Sequence, residues 1–421
     1  MRALIIGAGI GGLTTALSLH AAGIEAQVIE AAAELRPLGV GINLLPHAVR
    51  ELTELGLGEQ LAGLGIATAE FVHLDRFGNR IWSEPRGLAA GYRWPQYSVH
   101  RGELQAMLVR AVVERIGGEG GPIRTGTVFR SVTQDAHGIR AEVVDRATGA
   151  ASTIDADVLI GADGLNSAVR KQLHPEEGPP LWNGVRMWRG AVEGAPFLSG
   201  RSLAVLGSNT RAKFVAYPIS RSHELRGSAL VNWVAEVRMP EGAGPVVDWN
   251  RAGRLEDVRP HFDGWRFDGV DVCALMAAGD RILEYPMVDR DPLPAWGQGR
   301  VTLLGDAAHP MYPIGSNGAS QAVLDARVLA YELVRAQDPV KGLAGYEAER
   351  LEKTNKVVLA HRSIPMDRVL NLVAERAPDG FAAIADVLAP AELAELSEAF
   401  LLTTGTDAAA LNSRASFTPA R

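Results

Sequence analysis

The chain has 421 residues, 47% of them hydrophobic and 22% charged, a globular composition with length enough for two or three domains and a large core. Lys and Arg total 42 against 49 Asp and Glu, and the net charge of -7 with no basic run argues against a nucleic-acid partner. Cys273 is the only cysteine, which excludes an internal disulfide and a thiolate metal cluster; the 10 histidines lack ligand spacing, so no metal is expected, and the cytoplasm is the expected compartment.

Taken from the N-terminus, residues 2–6 read as a buried strand, 11–22 as a helix packed by Leu13, Ala16, Leu17 and His20, and 25–30 as a second strand. That is a βαβ unit, and it predicts a parallel, helix-covered sheet. Residues 3–24 contain no Asp, Glu, Lys or Arg and match the roughly 20 apolar residues of a membrane span. Glycines at 7, 9, 11 and 12 interrupt that run early and no basic leader precedes it. A strand, a tight turn and a buried helix are therefore predicted, with no membrane association.

Residues 71–83 alternate around the turn-rich Asp75-Arg76-Phe77-Gly78-Asn79, predicting a hairpin. Helical spacing covers 101–116 (Leu104, Leu108, Ala111, Val112), and two short strands follow at 128–133 and 139–144. Residues 157–160 form an apolar strand entering Gly161-Ala162-Asp163-Gly164. Over 186–238 the period changes. Strand-like stretches at 187–192, 203–207, 213–219 and 228–237, separated by Gly, Ser, Asn and Pro, predict an antiparallel sheet inserted into the first domain. Residues 301–304 return as a buried strand entering Gly305-Asp306, and the tail after 341 is predicted mostly helical, broken near Pro365, Pro378 and Pro390.

Gly7-x-Gly9-x-x-Gly12 sits where a dinucleotide fingerprint requires it, after a strand and opening a helix. The first glycine permits the turn, the second lets backbone approach a pyrophosphate on the helix N-terminus, and the third brings helix and strand together. Glu30 ends the next strand, placed for a carboxylate that accepts from ribose hydroxyls. This pattern does not separate FAD from NAD. Leu303-Leu304-Gly305-Asp306-Ala307-Ala308-His309-Pro310 does, because an acid at a strand end suits a ribityl polyol, which only FAD carries. The loop Pro313-Ile314-Gly315-Ser316-Asn317-Gly318-Ala319 then leads into a second helix N-terminus, whose N–H groups suit negative charge at N1 and C2=O of a reduced flavin.

At these residues the sequence resembles the single-component (group A) FAD-dependent aromatic monooxygenases of the p-hydroxybenzoate hydroxylase fold. Three motifs match in order over residues 1–350: Gly7 to Gly12 with Glu30, the string Gly161-Ala162-Asp163-Gly164-Leu165-Asn166-Ser167-Ala168-Val169-Arg170, and Gly305 to Pro310. Within that family the chain is similar to the phenazine-modifying branch, through Trp182-Asn183-Gly184-Val185-Arg186-Met187-Trp188-Arg189-Gly190, Val215-Ala216-Tyr217-Pro218-Ile219-Ser220 and Arg290-Asp291-Pro292-Leu293-Pro294-Ala295-Trp296. Two positions depart from the wider family, His47 in Leu45-Pro46-His47-Ala48-Val49 and Ser316-Asn317 in the loop; both are expected near the flavin.

The resemblance implies an α/β (α+β) architecture. A Rossmann-like FAD-binding domain (1–70, 98–180, 281–345) would carry an inserted antiparallel-sheet substrate domain (71–97, 181–280) and a C-terminal helical region (346–421). It implies that Glu30 holds the adenosine ribose, that Arg101 and Gln105 reach the phosphate and ribityl region, that Asp163 organises the pyrophosphate and the nicotinamide approach, and that Asp306 binds the ribityl chain, with Gly315, Asn317 and Gly318 at the flavin ring. It also implies a cycle in which NADH or NADPH, docking transiently, reduces the flavin. Dioxygen then forms a C4a-hydroperoxide that hydroxylates an electron-rich aromatic or heteroaromatic molecule, phenazine-like or an aromatic acid.

Such chemistry needs a dry pocket. Its expected walls are Tyr217 and Trp233 on strands of the inserted sheet, with Met311, Tyr312 and Pro313 on the flavin side. Arg186 or Arg189 would pair with a substrate carboxylate, although Arg189 equally could brace the domain contact. Tyr217, His309 and Pro310 are the catalytic candidates; His309 or His47 could shuttle a proton near neutral pH, or His309 could only close its turn. Other readings stay open: a reductase or decarboxylating hydroxylase of the same fold, a non-enzymatic flavin redox scaffold using the tail, or an NAD dehydrogenase. A monomer or homodimer is expected.

Overall fold

A computed structural model describes residues 1–37, 39–117, 121–244, 251–363, 365–396 and 407–419. At its centre is a five-stranded parallel sheet in the order Val301–Leu303, Val158–Gly161, Arg2–Ile6, Glu25–Ile29, Ile123–Arg124. Two of its inner strands, Val158–Gly161 and, beyond its first residue, Arg2–Ile6, are continuous buried apolar runs because both faces are covered. The Ile10–Ala21 helix is buried along nearly its whole length, and Thr14, Thr15 and Ser18 are accommodated there by donating to carbonyls one turn back. This 12-residue helix is too short to span a bilayer, and among the described residues no helix is long and apolar enough to do so.

The inserted sheet has seven strands, ordered Leu283–Asp289, Leu181–Gly194, Ala229–Arg238, Ala212–Pro218, Ser202–Gly207, Glu70–Leu74, Arg80–Pro85. It departs from the expected antiparallel pattern at one seam, where Ser202–Gly207 runs parallel to Glu70–Leu74. The hairpin of Glu70–Leu74 and Arg80–Pro85 arrives from the other side of the nucleotide-binding segments, so no short turn forces it antiparallel. Leu283–Asp289, expected with the nucleotide-binding segments, is instead an edge strand here.

A third strand, Ala151–Ala156, joins the two expected after the Arg101–Ile116 helix to form a meander. A three-stranded sheet of Gly41–Leu44, Gln96–His100 and Ile66–Thr68, also absent from the expectation, lies beside the two large sheets. These strands are short and mix polar with apolar residues, so no period marks them.

The Asn317–Ala336 helix lies against both Ile10–Ala21 and the following Pro339–Ser363 helix. Val369, Leu370 and Val373 of the Pro365–Arg376 helix pack with Phe71, Ile81, Tyr217 and Tyr312, closing one face of the seven-stranded sheet. Near the C-terminus, Arg50 donates to the carbonyls of Leu411 and Arg414, tying that segment to the Pro46–Glu54 helix. The parts of the expected helical tail at 364, 397–406 and 420–421 lie outside the described residues.

Candidate active site

A groove begins at the C-terminal ends of the parallel strands, the usual ligand position in such sheets. Gly7 turns the chain with φ +106, and an added Cβ there would lie 2.5 Å from the Ala162 carbonyl oxygen. Gly12 presses on the Gly7 carbonyl, as helix-strand contact demands. Gly9 is different: the position of its missing Cβ meets nothing within 4 Å and opens into the groove. Glu30 is aimed there by two backbone donors, Ala8 N at 2.8 Å and Ala32 N at 2.7 Å, and Gln105 Nε2 donates to Ala8 O at 2.7 Å. Arg101, at the start of the Arg101–Ile116 helix, borders this stretch and the next one.

Two acids stand further along. Asp163 accepts from Ser167 Oγ at 2.5 Å and Ala168 N at 2.7 Å, at the head of the short Ala168–Leu173 helix. Burial pushes its carboxyl above the usual range despite those donors. From the same helix, the buried Arg170 donates to the carbonyls of Ala307 at 3.0 Å and Ala308 at 2.7 Å, beside Asp306. Asp306 faces the groove; no protein donor among the described residues hydrogen-bonds its carboxylate, and its surroundings push its pKa up against the pull of His309 and Arg101.

The loop 311–318 forms the next wall. Ser316 adopts a left-handed φ of +61 at the head of the Asn317–Ala336 helix. Asn317 donates to Gly315 O and accepts from Gln321 Nε2, both at 3.2 Å, so the loop is held from within. Met311, Tyr312, Pro313, Asn317 and Gly318 all border the groove. The Tyr312 hydroxyl, buried beside Asp289, is pushed up to about 12.

Asn43, Arg189, Tyr217, Pro313 and Ser316 belong both to the groove and to an adjoining chamber under the seven-stranded sheet. Phe71, Leu203, Val205, Val215 and Val234 give the chamber apolar walls, and Gly315 borders it on the loop side. At the junction the Gly41 carbonyl accepts from Tyr217 Oη at 2.9 Å and Arg189 Nη2 at 2.7 Å, while Gly41 N donates to Asn232 Oδ1 at 2.7 Å. A Cβ on Gly41 would sit 2.7 Å from Asn232 and Ile219 side-chain carbons, so only glycine fits. Arg189 thus braces the contact between the sheets and borders the chamber, with its Nε buried and unpartnered. Burial raises the Tyr217 pKa, with Arg189 opposing, so the phenol stays protonated.

Several expected positions lie elsewhere. Trp233 occupies the opposite face of the sheet, fully buried and stacked on Phe214 with ring centroids 6.2 Å apart. Arg186 shares that face, pairing with Glu284 at 3.5 Å. Side chains alternate along a strand, and the parity of Trp233 and Arg186 turns both away from the chamber, which Val234 and Arg189 line instead. His309 lines neither cavity. Its Nε2 is 2.6 Å from Asp325 Oδ2, and Asp325 also accepts from Arg350 at 2.8 Å, a buried brace under the turn of which Pro310 is part. Burial works to raise the Asp325 pKa, but His309 and Arg350 outweigh it and hold it below the usual range. His47 is also absent from both linings, and burial with Arg350 and Arg414 lowers it to about 3, too low to exchange protons near neutral pH. The chamber is also lined by Arg86, Gln96, Lys213 and Glu236, none of them among the residues expected from the sequence. A Lys and a Glu within otherwise apolar strands were the available signal.

The residues fit FAD along its length. Gly9 leaves room for a pyrophosphate, the oriented Glu30 carboxylate could accept from ribose hydroxyls, and the undonated Asp306 carboxylate could accept from ribityl hydroxyls. A family model described as an FAD binding domain matches residues 1–237 and 288–360. The chain is 50% identical over 364 residues to the phenazine 1,6-dicarboxylic acid hydroxylase PhzS of Lysobacter antibioticus, covering 85% of this chain and 88% of that one. It is 33% identical to 3-hydroxybenzoate 6-hydroxylase 1 of Aquipseudomonas alcaligenes, covering 84% and 86%. Among solved structures, Klebsiella pneumoniae HpxO complexed with FAD and uric acid superposes with a TM-score of 0.74 at 26% identity, covering 98% and 95%. The chain therefore belongs to the FAD binding domain family and is an FAD-dependent aromatic hydroxylase drawing its electrons from NADH or NADPH.

Proposed function

We propose that this hydroxylase acts on a planar aromatic acid of the phenazine class, bound in the chamber with one edge toward the 313–316 loop. The observation that carries this reading is a slot walled by Phe71, Leu203, Val205, Val215 and Val234, with the Arg189 guanidinium at its groove end. The 50% identity to a phenazine dicarboxylate hydroxylase supports the same ring system.

Bound FAD would supply the electron and oxygen chemistry, and the chain's own residues would position and shield. Glu30, Asp163 and Asp306 would hold the nucleotide. Tyr217 and Arg189, both anchored on Gly41 O, would orient the substrate and its acid group. The apolar walls would keep water from the reacting face. The nucleotide-binding segments would be 1–70, 98–180 and 290–345, the substrate-binding segments 71–97 and 181–289, and 346–421 a helical cover. The single cysteine favours a cytoplasmic enzyme. The assembly is expected to be a monomer or homodimer.

The test is oxidation of NADH or NADPH by the purified flavoprotein with and without phenazine carboxylates, with the product made under labelled dioxygen. Stimulated oxidation and one labelled oxygen in the product are expected. Retention of all carboxyl groups would distinguish hydroxylation from decarboxylating hydroxylation, the main alternative. Absence of stimulation by any phenazine acid would remove this substrate class.

A further inference from the structure

A line of buried polar side chains runs behind the 313–318 loop. It starts under the turn that carries Asp306, where Asp325 Oδ2 accepts from Gly305 N at 3.2 Å and lies 2.6 Å from His309 Nε2. Asp325 Oδ1 accepts from Arg350 Nε at 2.8 Å, and Arg350 Nη2 donates to Gln321 Oε1. Gln321 Nε2 donates to Asn317 Oδ1 at 3.2 Å, and Asn317 Nδ2 is 3.2 Å from both Gly315 O and His361 Nε2. Asn317, Gln321 and Asp325 follow at four-residue spacing along one face of the Asn317–Ala336 helix. Arg350 and His361 reach them from the Pro339–Ser363 helix packed alongside, and all five side chains are buried.

The direction of this line is dictated from one end. A guanidinium has donors and no acceptor, so the Gln321 carbonyl oxygen must face Arg350. The Gln321 NH2 is thereby turned toward Asn317, and the Asn317 oxygen must face it. Only the Asn317 NH2 remains for Gly315 O and His361, so His361 Nε2 has to accept. That requires a neutral ring, and burial lowers the His361 pKa to about 4 against the opposing pull of the Tyr312 backbone. The ion pair with Asp325 keeps Arg350 in place at the head of the line. At its other end, Asn317 and Gly318 border the groove, and the first N–H groups of a helix have no acceptor within it.

We propose that Gln321 is a positioning residue for the flavin ring. It passes the orientation imposed by Arg350 to the Asn317 amide, and so holds residues 315–318 in the shape that sets their N–H groups against negative charge on the reduced flavin. This goes beyond the substrate reading above and rests only on the 313–318 loop being the wall beside the flavin ring.

The test uses the FAD-loaded full chain as wild type, Gln321→Glu and Gln321→Met. Gln321→Glu keeps an acceptor for Arg350 at nearly the same volume but has no donor for Asn317. The Asn317 amide must then turn over and present its oxygen to Gly315 O and His361. Gln321→Met interrupts the line without reversing it. The midpoint potential reports how tightly reduced FAD is held relative to oxidised FAD. Nitrogen NMR of histidine-labelled protein reports the His361 tautomer, its signals being assigned by their loss in His361→Gln.

Wild-type His361 should carry its proton on Nδ1, and Gln321→Glu should move it to Nε2. Both variants should hold reduced FAD about fivefold less tightly relative to oxidised FAD, the effect of one hydrogen bond. A wild-type His361 protonated on Nε2 would overturn the direction of the line, and that measurement needs no variant to fold. An unchanged potential in folded, flavin-loaded variants would leave the line a structural brace and overturn its role at the flavin. Wild-type protein that takes up no FAD would remove the flavin reading of the loop, and the proposal with it.

Discussion

The nucleotide groove and the aromatic chamber meet at Gly41, yet they are assembled by different means. The groove is built from backbone and from acids oriented by backbone. Gly9 leaves a void, Glu30 takes two main-chain donors, and Asp163 is fixed by a helix head. The chamber is built from one face of a sheet, where every second side chain of several strands contributes. Groove chemistry is local in the chain, so a short string can encode it. Chamber chemistry depends on which parity faces in, and that is decided by partners far away in sequence.

Four measurements would break or sharpen this contrast. The largest effect is expected from Trp233→Ala, on the face turned away from the chamber. Loss of a fully buried indole should cost about 3–5 kcal/mol of stability. Substrate affinity of the folded fraction should stay within about twofold; unchanged thermal stability with collapsed substrate binding would reverse the assignment of faces. Next comes Asp306→Ala, which should weaken FAD binding by about 10- to 100-fold, the worth of a charged hydrogen bond. Its apoprotein should be no less stable than wild type, since a carboxyl with a raised pKa gains nothing from being ionised there. Normal FAD retention would show that the ribityl end is held by other groups.

A smaller change is expected from Tyr217→Phe at the boundary between the two regions. Loss of the hydrogen bond to Gly41 O should cost about 1 kcal/mol. Equilibrium dialysis should find FAD affinity within about twofold of wild type and substrate affinity reduced.

The smallest effect concerns pH. His47 is neutral in the fold down to about 3, against an ordinary value of 6.5. Unfolding therefore takes up a proton between those values, so the stability it contributes is complete above 6.5 and is lost as pH falls toward 3. His47→Gln should lose less stability than wild type between pH 7 and pH 4, with an unchanged pH profile of activity near neutrality. A shifted neutral-pH profile would restore His47 as a proton carrier.

The same contrast explains what could be read from the sequence. The βαβ unit was legible because strand, glycines and helix are adjacent, and the Arg101–Ile116 helix because its apolar spacing is regular. Glu30 and Asp306 are candidates because each follows a strand, whereas Asp163 is one only through the resemblance of its motif; all three border the groove. On the inserted sheet the strands were found but not the direction of their side chains. Tyr217 was placed in the chamber, yet Val234 and Glu236 were missed in favour of Trp233, one residue out of phase. The Gly41–Leu44 strand went unseen since its partner lies over fifty residues away, and the importance of Gly41 comes from Asn232 and Arg189, which no local pattern connects to it.

The Ala168–Leu173 helix has a consequence for geometry. Asp163 caps it, and its Arg170 grips the two carbonyls after Asp306, so the carboxylates assigned to two stations of one extended cofactor are indexed to a single turn and a half of chain. It works as a gauge block set between two jaws. Loss of the Arg170 guanidinium would release the Ala307 and Ala308 carbonyls while leaving the Asp163 contacts to Ser167 and Ala168 in place.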